Sequence, residues 1–120
     1  MGTYRQRIGQ WGESVAADYL SARGYAILAR NVRTPHGEID LLARRDQVLV
    51  FVEVKTRTSR GQGYPEEAVG SRKQAHLLAA AEHFLQAHPD LPDSWQFDVI
   101  SVEGTPGSEP VITHFENVIS

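Results

Sequence analysis

The sequence predicts an α/β domain, a mixed β-sheet flanked by helices in the order α-β-β-β-α-β-β. Three observations predict it. Apolar residues recur at three- and four-residue steps in two separate segments, the run Val48-Leu49-Val50-Phe51-Val52 is apolar on both alternations, and the helical segment after that run is long enough for a crossover between strands. With 120 residues, 41% of them hydrophobic and 22% charged, residues 1–120 read as one domain with a core of its own.

Ile8, Trp11, Val15, Ala16, Tyr19 and Leu20 form the apolar stripe of a first helix from about Arg5 to Arg23, and Gly24 follows as its C′ residue. Tyr25 to Val32 reads as a strand, and Pro35-His36-Gly37 separates it from a second, Glu38 to Ala43. After a turn at Arg44-Arg45-Asp46 comes Val48 to Lys55, rich in β-branched residues and suited to a central strand covered on both faces. These two runs are expected to form a hairpin. Thr58 to Tyr64, with Gly61 and Gly63, reads as a mobile loop. Ser71 opens a second helix with Gln74 completing a capping box, its buried stripe is Leu77, Leu78, Ala81, Phe84 and Leu85, and Pro89 and Pro92 stop it. Trp95 to Val102 and Val111 to Ile119 are the last strands, joined through the turn-rich Gly104 to Ser108.

Composition excludes several classes of function. The absence of cysteine removes disulfide scaffolds, thiolate zinc sites, iron–sulfur clusters and cysteine nucleophiles, so any metal must sit on oxygen or imidazole. No apolar run approaches the roughly 18 residues of a membrane span, and the first residues lack the apolar core of a secretory signal, which predicts a cytoplasmic protein without membrane contact. The net charge of -3 is unevenly distributed. All 12 Lys and Arg lie at or before Lys73, giving that stretch +4, and the remainder carries -7. Such asymmetry suggests one electropositive side able to meet phosphates, the alternative being arginines scattered over a solvated surface.

The chemistry concentrates where charges interrupt apolar strands. Glu53 and Lys55 share a strand face about 7 Å apart, and burying either charge alone is costly, so they belong at the open end of the strand. Asp40 is a second acid in an apolar run, between Ile39 and Leu41, and antiparallel pairing can bring it beside Glu53, although the register is not fixed by sequence. Two carboxylates about 4 Å apart repel by roughly 4 kcal/mol at an effective dielectric near 20, so either one is protonated or a cation lies between them. Hard oxygen ligands suit Mg²⁺ or Mn²⁺. Such a site, with Lys55 alongside to orient water or balance charge, suits attack of water on a phosphodiester.

At these residues the chain resembles the PD-(D/E)XK nuclease superfamily, in which an Asp and a Glu-x-Lys occupy adjacent strands of an α-β-β-β-α-β, restriction-endonuclease-like core. The strings Gly37-Glu38-Ile39-Asp40-Leu41-Leu42 and Val50-Phe51-Val52-Glu53-Val54-Lys55-Thr56-Arg57, with Phe97-Asp98-Val99, resemble the small bacterial YraN family, related to Holliday-junction resolvases. The resemblance implies a metal-dependent endonuclease acting on structured DNA. Here Ile39 stands where the superfamily often has proline before the Asp. It also implies a helix-borne glutamate at the metal, for which Glu13 is the candidate, its alternative being an exposed helix acid. A resolvase-like activity favours a two-fold homodimer, because a four-way junction needs two symmetric cuts.

Arg57, Arg60, Arg72 and Lys73 flank the expected site and are candidates for gripping phosphates. Glu38 shares the Asp40 face and either supports the site or is solvated. Asp98 either meets a buried cation or supports the sheet edge, and Gln74 is assigned to capping. The five histidines make no zinc-binding pair on one helix face and read as surface or packing residues, and Trp11 reads as core. The second functional reading is a catalytically silent nucleic-acid-binding module that scaffolds DNA repair or uptake.

Overall fold

A computed structural model describes residues 2–58 and 71–119, apart from the Ser71 side chain. The elements are α1 (Tyr4–Ala22), β1 (Ala26–Thr34), β2 (Gly37–Arg45), β3 (Val48–Arg57), α2 (Ser71–Ala87), β4 (Ser94–Glu103) and β5 (Val111–Phe115). The strands form one sheet in the order β1-β2-β3-β4-β5, antiparallel throughout except for the parallel β3–β4 pair that follows the passage through α2. This is the predicted mixed sheet flanked by helices, with the element order of a restriction-endonuclease-like core.

β3 lies in the middle because it can be buried on both faces. On one side Val50 and Val52 join Leu41, Ala43, Ile100 and Val102 beneath Ala16, Ala17 and Leu20 of α1. On the other, Leu49 and Phe51 join Leu42, Phe97 and Val99 beneath Leu77, Ala80 and Ala81 of α2. α1 can lie close to the sheet because Gly12 is buried against Thr56, where a Cβ would collide with Thr56 Oγ1.

Several boundaries differ from the sequence expectation. Arg44 and Arg45 extend β2, so the hairpin turns at Asp46, whose φ of 54° an aspartate tolerates well. Val111 to Ile119 pairs only as far as Phe115, since Asn117 takes a φ of 52° and Val118 N–H donates instead to Phe97 O at 2.8 Å. A capping box is formed at α1, where Thr3 and Gln6 exchange backbone and side-chain hydrogen bonds of 2.8 and 3.1 Å. The expected Ser71 capping contact and most of the loop from Thr58 to Tyr64, with Arg60, lie outside the described residues.

The sheet is irregular at the point that matters for chemistry. The β2–β3 register runs from Arg45–Val48 to Leu41–Val52 and stops one residue short of Asp40. Leu41 and Ala43 pack on the α1 side, whereas Ile39 packs on the α2 side, so the side-chain alternation breaks at Asp40. Opposite it in β1, Asn31 adopts a φ of 53°.

Candidate metal and phosphodiester site

Asp40 and Glu53 meet at the fork where β2 leaves β3. Val54 N–H donates to Asp40 Oδ2 at 2.8 Å, a side-chain bond where the ladder has ended. Burial, and next the charge of Glu53, push the Asp40 carboxyl up to about 7; the bond from Val54 works in the opposite direction, and Glu13 and Glu38 add to the rise. Among the described residues no cation lies within ion-pair distance of Asp40.

Glu53 follows Leu49 and Phe51 on the α2 face and is only 8% exposed. Its Oε1 accepts from Lys73 Nζ of α2 at 2.7 Å and lies 3.6 Å from Lys55 Nζ. Glu13 reaches the same end of the sheet from α1. Its carboxyl is raised by burial first and by Glu38 and Glu53, while a hydrogen bond from Asn31 and the charge of Arg30 oppose the rise. The structure therefore brings together Asp40, Glu53, Lys55 and Glu13, and Glu38 stands near enough to act on two of them.

Lys73, expected among the phosphate-gripping residues, forms an ion pair with Glu53. Arg72 is exposed in the first turn of α2, and Arg57 ends β3 half-buried, its carbonyl accepting from Gly104 N–H at 2.9 Å. Arg60 lies outside the described residues. Asn31 was missed by sequence reasoning. The available signal was an asparagine, poorly suited to a strand interior and tolerant of positive φ, inside a predicted strand.

A second polar cluster occupies the α1 face of β4 and β5. Asp98 is fully buried and accepts from Gln96 Nε2 and Asn117 N–H at 2.9 Å, and its Oδ2 lies 2.7 Å from His114 Nε2. His114 Nδ1 lies 3.3 Å from the Tyr19 hydroxyl, which ties β5 to α1. With Glu116, Asp98 and His114 form a group whose ligating atoms all lie within 4.8 Å of one another, a donor set that fits a divalent metal. His114 packs against Tyr19 and Tyr25, and Asp98 pairs with it while holding the segment after β5.

No helix among the described residues is long and apolar enough to cross a membrane. Among solved structures, SfsA of Pyrococcus furiosus, in complex with Ca²⁺, aligns with 93% of this chain and 63% of its own at 13% identity and a TM-score of 0.40. Sequence relatives are far closer. The UPF0102 protein of Syntrophotalea carbinolica is 47% identical over 111 residues, 92% of this chain and 89% of the relative. That of Roseiflexus castenholzii is 47% identical over 113 residues, 92% and 90% of the two chains, and UPF0102 protein STH1475 of Symbiobacterium thermophilum 50% over 101, 84% and 86%. The sequence model of the Uncharacterised protein family UPF0102 matches residues 12–102, which include Glu13, Asp40, Glu53, Lys55 and Lys73. The chain belongs to UPF0102, the YraN family.

Proposed function

We propose that this chain is a metal-dependent endonuclease that hydrolyses DNA phosphodiester bonds, with branched or otherwise structured DNA as substrate. The observation that carries the reading is Asp40: a half-buried carboxyl, without a cation partner among the described residues, held by Val54 N–H beside the buried Glu53 and pushed up to about 7. Asp40 and Glu53 would hold Mg²⁺ or Mn²⁺, with Glu13 as a further acid, and hard oxygen donors of this kind fit such an ion. The bound ion would polarise the phosphoryl oxygen and lower the pKa of an attacking water.

The chain's own residues supply the rest. Val54 N–H fixes the orientation of Asp40. Lys55, half-exposed and on the Glu53 face, is placed to orient the water or to balance charge that develops on the phosphate. Lys73 is the countercharge of Glu53 in this structure and, with a cation bound at Glu53, would be available to a phosphate oxygen. Arg57, Arg60 and Arg72 grip the backbone on either side of the cut. Cleavage of a four-way junction would require two copies related by a two-fold axis.

The Lys73–Glu53 pair also favours a second reading, because an ammonium already in place gives Glu53 its countercharge in a catalytically silent nucleic-acid-binding module. One assay separates them. Plain duplex, nicked, flapped and four-way DNA are incubated with the protein and Mg²⁺ or Mn²⁺. Product that vanishes in both Asp40→Ala and Lys55→Ala supports the endonuclease, and binding without product that survives both substitutions supports the module.

A further inference from the structure

We infer that Asn31 is a positioning residue for this site, its side-chain amide holding Glu13 of α1 and Glu38 of β2 at the fork where Asp40 and Glu53 meet. The inference deepens the metal-site reading and rests on it. With its nitrogen turned toward the two acids, the Asn31 amide lies 3.1 Å from Glu38 Oε1 and 3.2 Å from Glu13 Oε1. One NH₂ group has two protons to donate, so a single side chain can serve both carboxylates, which come from different elements and would otherwise repel.

The backbone explains how the amide gets there. In a regular strand, Arg30 and Asn31 point to opposite faces. Here both side chains reach α1, Arg30 Nη2 donating to Ser14 Oγ at 3.1 Å and Asn31 to the adjacent Glu13. The break in alternation is visible in the packing as well, since Ala29 and Val32, three residues apart, both lie against the α2-side core. The residue that absorbs it is Asn31, at a φ of 53°, a region asparagine tolerates better than most residues and yet still at some cost. That conformation sits opposite Asp40, where the register with β3 has already ended. The kink therefore swings a neutral donor to the acids at the fork; a lysine or arginine there would compete for the cation's place.

Asn31→Gly isolates the amide from the backbone, because glycine takes positive φ freely. The test is calorimetric titration of the whole chain with Mn²⁺, for wild type, Asn31→Gly, Glu13→Gln and the double variant, with the thermal midpoint of each metal-free protein. Asn31→Gly is expected to keep the wild-type midpoint within a few degrees and to weaken Mn²⁺ binding roughly 10- to 100-fold, as loss of a residue supporting metal ligands does. The double variant is expected to lose less affinity than the product of the two single losses, because part of the effect of Asn31 passes through Glu13. Wild-type affinity in Asn31→Gly, losses that multiply in the double variant, or a collapse of the thermal transition in Asn31→Gly would each overturn the positioning role while leaving the metal site standing. Wild-type protein that binds no Mn²⁺, or binds it equally in Asp40→Ala, would overturn the metal site and this inference together.

Discussion

Two carboxylates of one sheet, Asp98 and Asp40, have opposite surroundings. Asp98 is the more deeply buried, and three groups satisfy it: Gln96, Asn117 and His114, at 2.7 to 2.9 Å. Asp40 accepts one backbone hydrogen bond and confronts Glu53. A buried charge with a full set of partners holds a structure together, whereas one with a single partner and a like-charged neighbour costs stability. The fold tolerates that cost at the fork between β2 and β3, the same end of the sheet to which it brings Glu13, Glu38, Lys55 and Lys73.

Substitution can break this contrast. Asp98→Ala leaves Asn117 N–H, Gln96 and His114 without their acceptor, and should cost about 3–5 kcal/mol of unfolding free energy in a urea titration. Asp40→Asn should do the reverse. Burial and the charge of Glu53 push the Asp40 carboxyl from its ordinary 3.8 up to about 7, so between these values the native state holds a proton that the unfolded chain has shed. Metal-free protein should therefore lose stability as pH rises from about 4 to about 7. Asp40→Asn removes that loss, and should gain roughly 2–4 kcal/mol at pH 8 and almost nothing at pH 4. A wild-type urea midpoint that is flat across this window would mean that Asp40 is as well satisfied as Asp98.

Smaller effects sharpen the comparison. Gly12→Ala forces α1 away from Thr56 and displaces the neighbouring Glu13, so about 1–3 kcal/mol of stability should be lost together with Mn²⁺ affinity, and the Asp98 network should keep its structure. Arg72→Ala removes an exposed cation beside the fork. It should weaken DNA binding similarly for all sequences and reduce the slope of log affinity against log salt by about 1.

Much of this was legible in the sequence. The hairpin, the central β3 and the shared face of Glu53 and Lys55 follow from charges set into strands that are otherwise apolar, a local pattern that alternation translates directly into a face; the approach of Asp40 to Glu53 was left open, because the register was not fixed by sequence. Glu13 was placed by resemblance, and its carboxyl lies close enough to Asp40 and Glu53 for their charges to act on one another. The partners of Glu53 and Asp98 were not legible. Lys73 meets Glu53 only because α2 docks on the Phe51 face, and His114 meets Asp98 only because β5 pairs beside β4, contacts across 20 and 16 residues that no periodicity specifies. Asn31 was hidden for another reason. A single left-handed residue reverses the alternation on which strand reading depends, so the expectation that Glu38 simply shares the Asp40 face could not anticipate Asn31 bridging Glu38 to Glu13.

The claim on which the rest depends is that the Asp40–Glu53 pair is incomplete without a divalent cation, and thermal unfolding at pH 8 with and without Mn²⁺ tests it most directly. At a concentration of 100 times the dissociation constant, wild type should gain about 2.7 kcal/mol. The gain should disappear in Asp40→Asn and persist in Glu116→Gln, which removes a ligand from the other metal-compatible group. An unchanged wild-type midpoint, or a gain that survives Asp40→Asn, would contradict the account.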